Sequence, residues 1–319
     1  MGLKETGILT SASDYHIFLK LRRTRREAME MYLDIVEAAL AEGIVPRCHF
    51  EDITRADFEG FVIPFAARLM ALAEQYEMPV KIRACDTLGF GVPYVGAQLP
   101  RSVAKIIYSL RRRAGVPPEW LEWHGHNDFH KVLVNATTAW LHGCCAANGT
   151  LLSIGERTGN PPIEGLLVEH AMLWGETEGV DYSAITEMAD YFRREIGYDI
   201  PPRYPLVGRD FNLTRAGIHA DGLLKNEEIY NPFDTERLLG RPVRIGVTDK
   251  SGTAGILAWI TCRYDLAEAI DKDDPRIRKI HQWIQAEYEA GRVAAISDEE
   301  MDRLVHEHFG DVIRRPETR

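Results

Sequence analysis

The sequence predicts an α/β protein built on a parallel sheet, and three observations carry that prediction. Short apolar runs alternate strictly with longer segments of helical period through the first part of the chain. The polar, glycine-rich clusters all fall where the strands should end, which is where (β/α)-barrels and open α/β sheets keep their sites. Beyond about residue 180 the alternation stops, so a second, smaller and mainly helical part should follow. Pattern alone does not choose between a barrel and an open sheet.

Taken in order, Lys4–Ala12 reads as a strand running into Ser11-Ala-Ser-Asp-Tyr-His16. Thr24 with Glu27 three residues on is a capping box. The helix it opens places Met29, Tyr32, Leu33, Ile35, Val36 and Leu40 at helical spacing, and Gly43 ends it. Ile44–Phe50 is the next strand, leading into Glu51-Asp-Ile-Thr-Arg-Ala-Asp57 and a helix over Phe58–Tyr76. Val80–Ala84 is a strand closing on Cys85-Asp-Thr-Leu-Gly-Phe-Gly-Val-Pro93, with a helix around Ser102–Arg113. Leu121–His124 is a strand, Lys131–Cys145 a helix, and Gly149–Ile154 a strand ending in Gly155-Glu-Arg-Thr-Gly-Asn160. Pro161–Glu176 is the last helix of the series. Tyr182–Ile196 reads as a helix and Pro201–Pro205 as a linker. The expected division is a catalytic part over 1–180 and a linker with helical subdomains over 181–319.

The chain of 319 residues is 45% hydrophobic and carries a formal net charge of −10. Nucleic acid is therefore not an expected partner, and an anionic ligand must be held by local groups. No apolar run is long enough to span a bilayer, and the first residues read as neither a signal nor a transit peptide. Five scattered cysteines form no framework, which suits a reducing compartment, so cytoplasm is the expected location.

One stretch carries chemistry by itself. In an extended strand alternate side chains share a face, so His124 and His126 in His-Gly-His-Asn-Asp128 leave the strand end together. Two imidazoles placed this way form half of a metal site, with Gly125 expected to keep the approach open. An isolated His-x-His is more often one surface and one core histidine.

His124-Gly-His-Asn-Asp128 followed by Gly155-Glu-Arg-Thr-Gly-Asn160 resembles the last two barrel strands of the 2-isopropylmalate synthase and homocitrate synthase family, the HMG-CoA lyase-like metalloenzymes. Further matches come in order: Ser13-Asp-Tyr-His16, Phe50 to Asp57, Cys85-Asp-Thr-Leu-Gly89, Arg215-Ala-Gly-Ile-His-Ala-Asp-Gly-Leu-Leu-Lys225 and Asp249-Lys-Ser-Gly252. The resemblance covers nearly the whole chain. It implies a TIM (β/α)8-type barrel with a helical lid, of which the chain holds about the last five βα units. The family's opening Arg-Asp-Gly strand, whose aspartate binds the metal, has no counterpart here. The first strands are expected from a wrong start, a split gene or another polypeptide.

The resemblance implies a divalent metal (Mg2+, Mn2+ or Zn2+) on His124 and His126, with Asn160 as a further ligand or support. Glu51 matches a carboxylate that pairs with a histidine of the lid, and His219 is that histidine by motif. Tyr230 matches a position assisting the pair. Thr87 and His16 are expected on the substrate side. Taken singly, Glu51 reads as a helix-start carboxylate, Asn160 as a turn residue, Asp86 as a cap, and Glu156 with Arg157 as an ion pair. Arg22, Arg23, Arg25 and Arg26 gather at a helix start; a solvated face or subunit contact is the simpler reading than binding of CoA phosphates.

The activity implied is Claisen condensation of acetyl-CoA with a 2-oxo acid. The motif wording is closest to Re-type citrate synthases, which implies oxaloacetate. Homocitrate or isopropylmalate synthesis is the alternative, and a homodimer is expected by resemblance. A reading of another class is a split subunit that is inactive without the missing strands.

Overall fold

Strand formation in the first part follows the sequence alternation closely, because one face of each strand is apolar and the other polar. In the computed structural model, which describes residues 2–175 and 179–314, the chain divides into two compact units, 1–178 and 179–319. In the first unit, β1 (Glu5–Ser11), β2 (Val45–Glu51), β3 (Lys81–Asp86), β4 (Leu121–Gly125) and β5 (Ala146–Ala147) form one sheet in that order. Every neighbouring pair is parallel. The crossovers are α1 (Arg25–Ala41), α2 (Ile63–Gln75), α3 (Val103–Arg113) and α4 (Val132–Leu141), and α5 (Ile163–Trp174) follows β5. Five consecutive βα units wound in sequence order are the build of a TIM-type barrel, here with β1 and β5 at the sheet edges.

The outward residues of the strands, Cys48, Phe50, Ile82, Ala84, Leu121 and Trp123, are buried with Val36, Phe65, Leu69, Ile106 and Leu110 of the helices. Each of the Val, Leu, Ile and Phe side chains among them contributes about 1.5–3 kcal/mol by leaving water. Apart from Leu9 of β1 and the buried Cys85 of β3, the inward residues of β2, β3 and β4 are mostly polar and only partly covered.

The capping box at α1 forms as the sequence predicts, with Thr24 and Glu27 bonding each other's backbone N–H. The helix expected over Phe58–Tyr76 starts as a wide π turn, Phe58–Val62. It tightens into α2 next to Pro64, which has no N–H to give. One expectation is corrected. The run Gly149–Ile154 is not a strand: β5 lies earlier, at Ala146–Ala147, and Leu151–Ser153 is a short 3-10 turn with Leu152 and Ser153 left-handed. Of its large apolar residues only Leu152 is buried, while Leu151 and Ile154 are exposed. The last helix ends at Trp174, and its expected end, Glu176, lies outside the described residues. The segment after β1 forms a π-helical turn, Tyr15–Lys20, that the sequence did not announce.

The second unit is helical around its own core. Its elements are α6 (Ala184–Tyr191), α7 (Gly217–Lys225), α8 (Thr235–Leu239), α9 (Gly252–Thr261), α10 (Pro275–Glu289) and α11 (Asp298–Phe309), with short two-residue strands between them. Ile256, Trp259, Ile260, Ile277, Ile280, Ile284 and Phe309 form the centre. All five cysteines are free. Among the described residues no helix is long and apolar enough to cross a membrane.

Candidate functional site

Register places the inward side chains in levels. Ser11 pairs with Glu51, Glu51 with Cys85, and Cys85 with His124, so these four share the level nearest the C-terminal strand ends. Only β3 separates Glu51 from His124, which puts their backbones about 10 Å apart at the usual strand spacing. The level beneath holds Leu9, His49, Arg83 and Glu122. Arg83 donates to Glu122 at 2.7 Å and Arg47 lies 3.1 Å from it, while Glu5 takes Arg47 and, at 2.8 Å, Lys81. This charged floor and burial together push His49 down to about 4: burial first, then Arg83 and Arg47.

His124 and His126 leave β4 on one side, with their Nε2 atoms 3.2 Å apart and rings crossed at 81°. Burial pushes His124 down to about 4, helped by His126 and Arg83, so it is a neutral donor at neutral pH. His126 is buried and its Nδ1 has no hydrogen-bond partner. Two nitrogens each about 2.0–2.1 Å from one tetrahedral ion lie about 3.3 Å apart, so the pair fits a shared cation without rearrangement. Among the described residues no third His, Cys, Asp or Glu joins them.

Gly125 does not keep the ligand side open. A Cβ there would face Trp123 Nε1 at 3.2 Å and Val132 at 3.6 Å, on the helix side, so the glycine serves packing against α4. The loop Gly155–Asn160 clamps the strand end: Asn160 Nδ2 donates to the Gly125 carbonyl at 2.9 Å and Asn127 N–H to the Gly159 carbonyl at 3.0 Å. Gly159 has φ +91, and any Cβ on it would stand 1.8 Å from the Ser153 carbonyl oxygen. Arg157 pairs with Asp128 at 2.9 Å and donates to the Thr87 carbonyl, with Glu156 a weaker partner at 3.6 Å.

At the end of β2, two donors and an imidazole gather at one oxygen. Ser11 Oγ and Lys20 Nζ each reach Glu51 Oε2 at 2.6 Å, and His16 Nδ1 lies 2.9 Å from it. Burial raises Glu51, but Lys20, Ser11 and His16 outweigh it, and the carboxyl sits below its ordinary range. The next residue, Asp52, is left-handed and wholly buried, held by Ser13 at 2.5 Å and Arg55 at 2.7 Å. Its N–H donates to Thr87 Oγ1 at 2.8 Å, leaving the Thr87 hydroxyl proton free to donate. Asp86 is tied inward by Thr54 and the Gly91 N–H, and burial lifts it to about 6. It fixes loops rather than capping a helix. Sequence reading named Glu51, His16 and Thr87 but missed Ser11, Lys20 and Asp52; the only signal was that Lys20 follows His16 by one turn.

In the second unit His219 lies on α7, exposed, with the Tyr230 ring 4.2 Å away at 35°. Gly222, one turn after His219, makes that possible: a Cβ there would meet the Tyr230 ring at 2.5 Å. The two motif stretches of this unit also meet, since Ser251 Oγ donates to the Arg215 carbonyl at 2.7 Å. Glu51 and His219 belong to different units, and each is described within its own.

The chain as a whole is similar to known proteins. Residues 1–191 match the family model described as HMGL-like. Citrate (Re)-synthase of Syntrophus aciditrophicus is 59% identical over 313 residues, covering 98% of this chain and 50% of the relative. Citrate (Re)-synthase of Clostridium kluyveri is 54% identical over 321 residues, covering 100% of this chain and 71% of the relative. The chain thus spans about half the length of the first and under three quarters of the second. Hydroxymethylglutaryl-CoA lyase of Pseudomonas aeruginosa superposes with a TM-score of 0.47 at 22% identity, covering 61% of this chain and 64% of that one. By sequence, the chain belongs to the HMGL-like family.

Proposed function

We propose that the chain provides the catalytic strand ends of an acyltransferase that condenses acetyl-CoA with a 2-oxo acid, oxaloacetate, to give citrate. The observation that carries the chemistry is one level of the sheet holding a neutral histidine donor and an ionised glutamate, a strand apart. The choice of oxaloacetate follows the relatives named Citrate (Re)-synthase.

Members of the HMGL-like family depend on a divalent metal. His124 and His126 would hold it, with Asn160 in support, and the bound ion would supply Lewis-acid polarisation of the keto group. Thr87 and His16, both beside the Glu51 edge, are assigned to the carboxylate of the oxo acid. Glu51 is the fixed anion of an acid/base pair whose imidazole is His219 and whose aid is Tyr230. An anion below the ordinary carboxylate range suits orienting an imidazole better than removing a proton itself. In this reading His219 takes a proton from the acetyl methyl, the new C–C bond joins that carbon to the keto carbon, and water breaks the thioester to release CoA.

A second reading has one observation in its favour: the sheet has free edges at β1 and β5. Another polypeptide would then supply the remaining strands, and the chain alone would be inactive. We assign the protein to the cytoplasm and to a homodimeric assembly. Free CoA should be released from acetyl-CoA fastest with oxaloacetate and more slowly with 2-oxoglutarate or 2-oxoisovalerate. Equal rates with all three, or an unchanged rate in His219→Ala, would sink the assignment.

A further inference from the structure

Glu51 presents two unequal oxygens. Oε2 accepts from Ser11 and Lys20 and faces His16, whereas among the described residues Oε1 has no hydrogen-bond partner. We propose that Lys20 is a positioning residue for Glu51: it pins Oε2 and leaves Oε1 as the oxygen that meets the reacting partner. This rests on the reading of Glu51 as a member of the acid/base pair.

The geometry behind it begins at the π-helical turn Tyr15–Lys20. Leu21 N–H bonds back to the His16 carbonyl at 2.9 Å, five residues away, and the widened turn sets His16 and Lys20 on the side facing β2. Such turns recur at functional sites because they cost helix stability and redirect side chains. The Lys20 side chain is 45% exposed, and an ion pair so open to water adds little to folding. Its value to the molecule is therefore local.

Among the described residues, no other permanent cation touches Glu51. From β1 it meets the neutral Ser11, itself held through its N–H by Tyr32 OH of α1. From β3 it faces Cys85, whose thiol burial pushes up to about 12 and so leaves uncharged. Asp52, next along the chain, repels it but is paired with Arg55, and His16 divides its ring between the two carboxylates, 2.9 Å from Glu51 and 3.8 Å from Asp52. Among the contacts that favour the Glu51 anion, Lys20 is the largest. It also fixes which oxygen is buried in donors, because its second contact, Ser11 Oγ at 3.4 Å, lies on the same oxygen's side.

The test reads the carboxyl directly and needs no turnover. The chain is labelled at the glutamate carboxyl carbon with 13C, titrated by NMR, and the Glu51 signal assigned by its loss in Glu51→Gln. Lys20→Met and Lys20→Gln should each raise the Glu51 pKa by about one unit or more, and Lys20→Arg should return it towards the wild-type value. Thermal midpoints of all three should stay near the parent, and whichever neutral variant folds is read. An unmoved Glu51 titration in a folded neutral variant, or no restoration by Lys20→Arg, overturns the proposal. Where CoA release is measurable, the acid limb of kcat/KM should move with the titration while KM for the oxo acid holds. A shifted titration without oxo-acid-dependent CoA release would count against the function assigned above and leave Lys20's role intact.

Discussion

At the residue scale, His124 is neutral because its ring is buried beside a second imidazole and above Arg83, so its nitrogen lone pair is available at neutral pH. That makes metal uptake the direct readout of the pair. His124→Ala and His126→Ala should each weaken binding of Mn2+ or Zn2+ by at least about 100-fold in a competition titration, since even outer partners of metal ligands cost 10–100-fold. Unchanged metal content in either variant would remove the ligand assignment. That the two histidines share a face was legible from strand periodicity, whereas their reading as ligands came from the motif resemblance. Lys20 was not legible, because it meets Glu51 across 31 positions and through a turn type that no residue pattern announces.

Elements explain how single glycines set these residues in place. Gly222→Ala would insert a methyl where the Tyr230 ring lies, so the ring should leave His219. The expected sign is loss of the ring-current shift on the His219 imidazole protons, with the fold intact; a retained shift contradicts the packing. Gly159→Ala combines a left-handed backbone with a clash against a carbonyl that cannot yield. It should destabilise the first unit by about 2–3 kcal/mol in urea unfolding, and a loss under 0.5 kcal/mol would contradict the clamp. Elements also show where pattern reading fails. β5 is a pair of alanines with weak strand preference, while the more apolar Gly149–Ile154 beyond it is bent by two left-handed residues. Tertiary position, not local composition, made the strand. The positions of β1 to β4 were legible within a residue or two because β2, β3 and β4 alternate a helix-packed face with a largely polar one, whereas the two-residue strands of the second unit were not expected.

For the molecule as a whole, the polar inner face of the sheet sets the acid sensitivity. His49 has a folded value near 4, below its ordinary 6.5, so the stability gained by burying it neutral is present above pH 6.5 and lost as pH falls towards 4. The ring is only half buried, which limits the effect to about 1–2 kcal/mol. The drop in unfolding midpoint between pH 6.5 and 4 should therefore shrink in His49→Gln, and an identical pH profile would exclude His49 as its source. The five-unit sheet itself was readable from strand and helix alternation, but the barrel architecture was not; that came from motif resemblance and the winding order. The metal-dependent condensation proposed at the ends of β2 and β4 is tested by tagging the chain at its genomic locus, purifying it with whatever it assembles with, and measuring oxaloacetate-dependent release of free CoA from acetyl-CoA. Release should be lost on chelation and in the paired His124→Ala, His126→Ala variant; release that survives both, or none with any 2-oxo acid, would overturn the assignment.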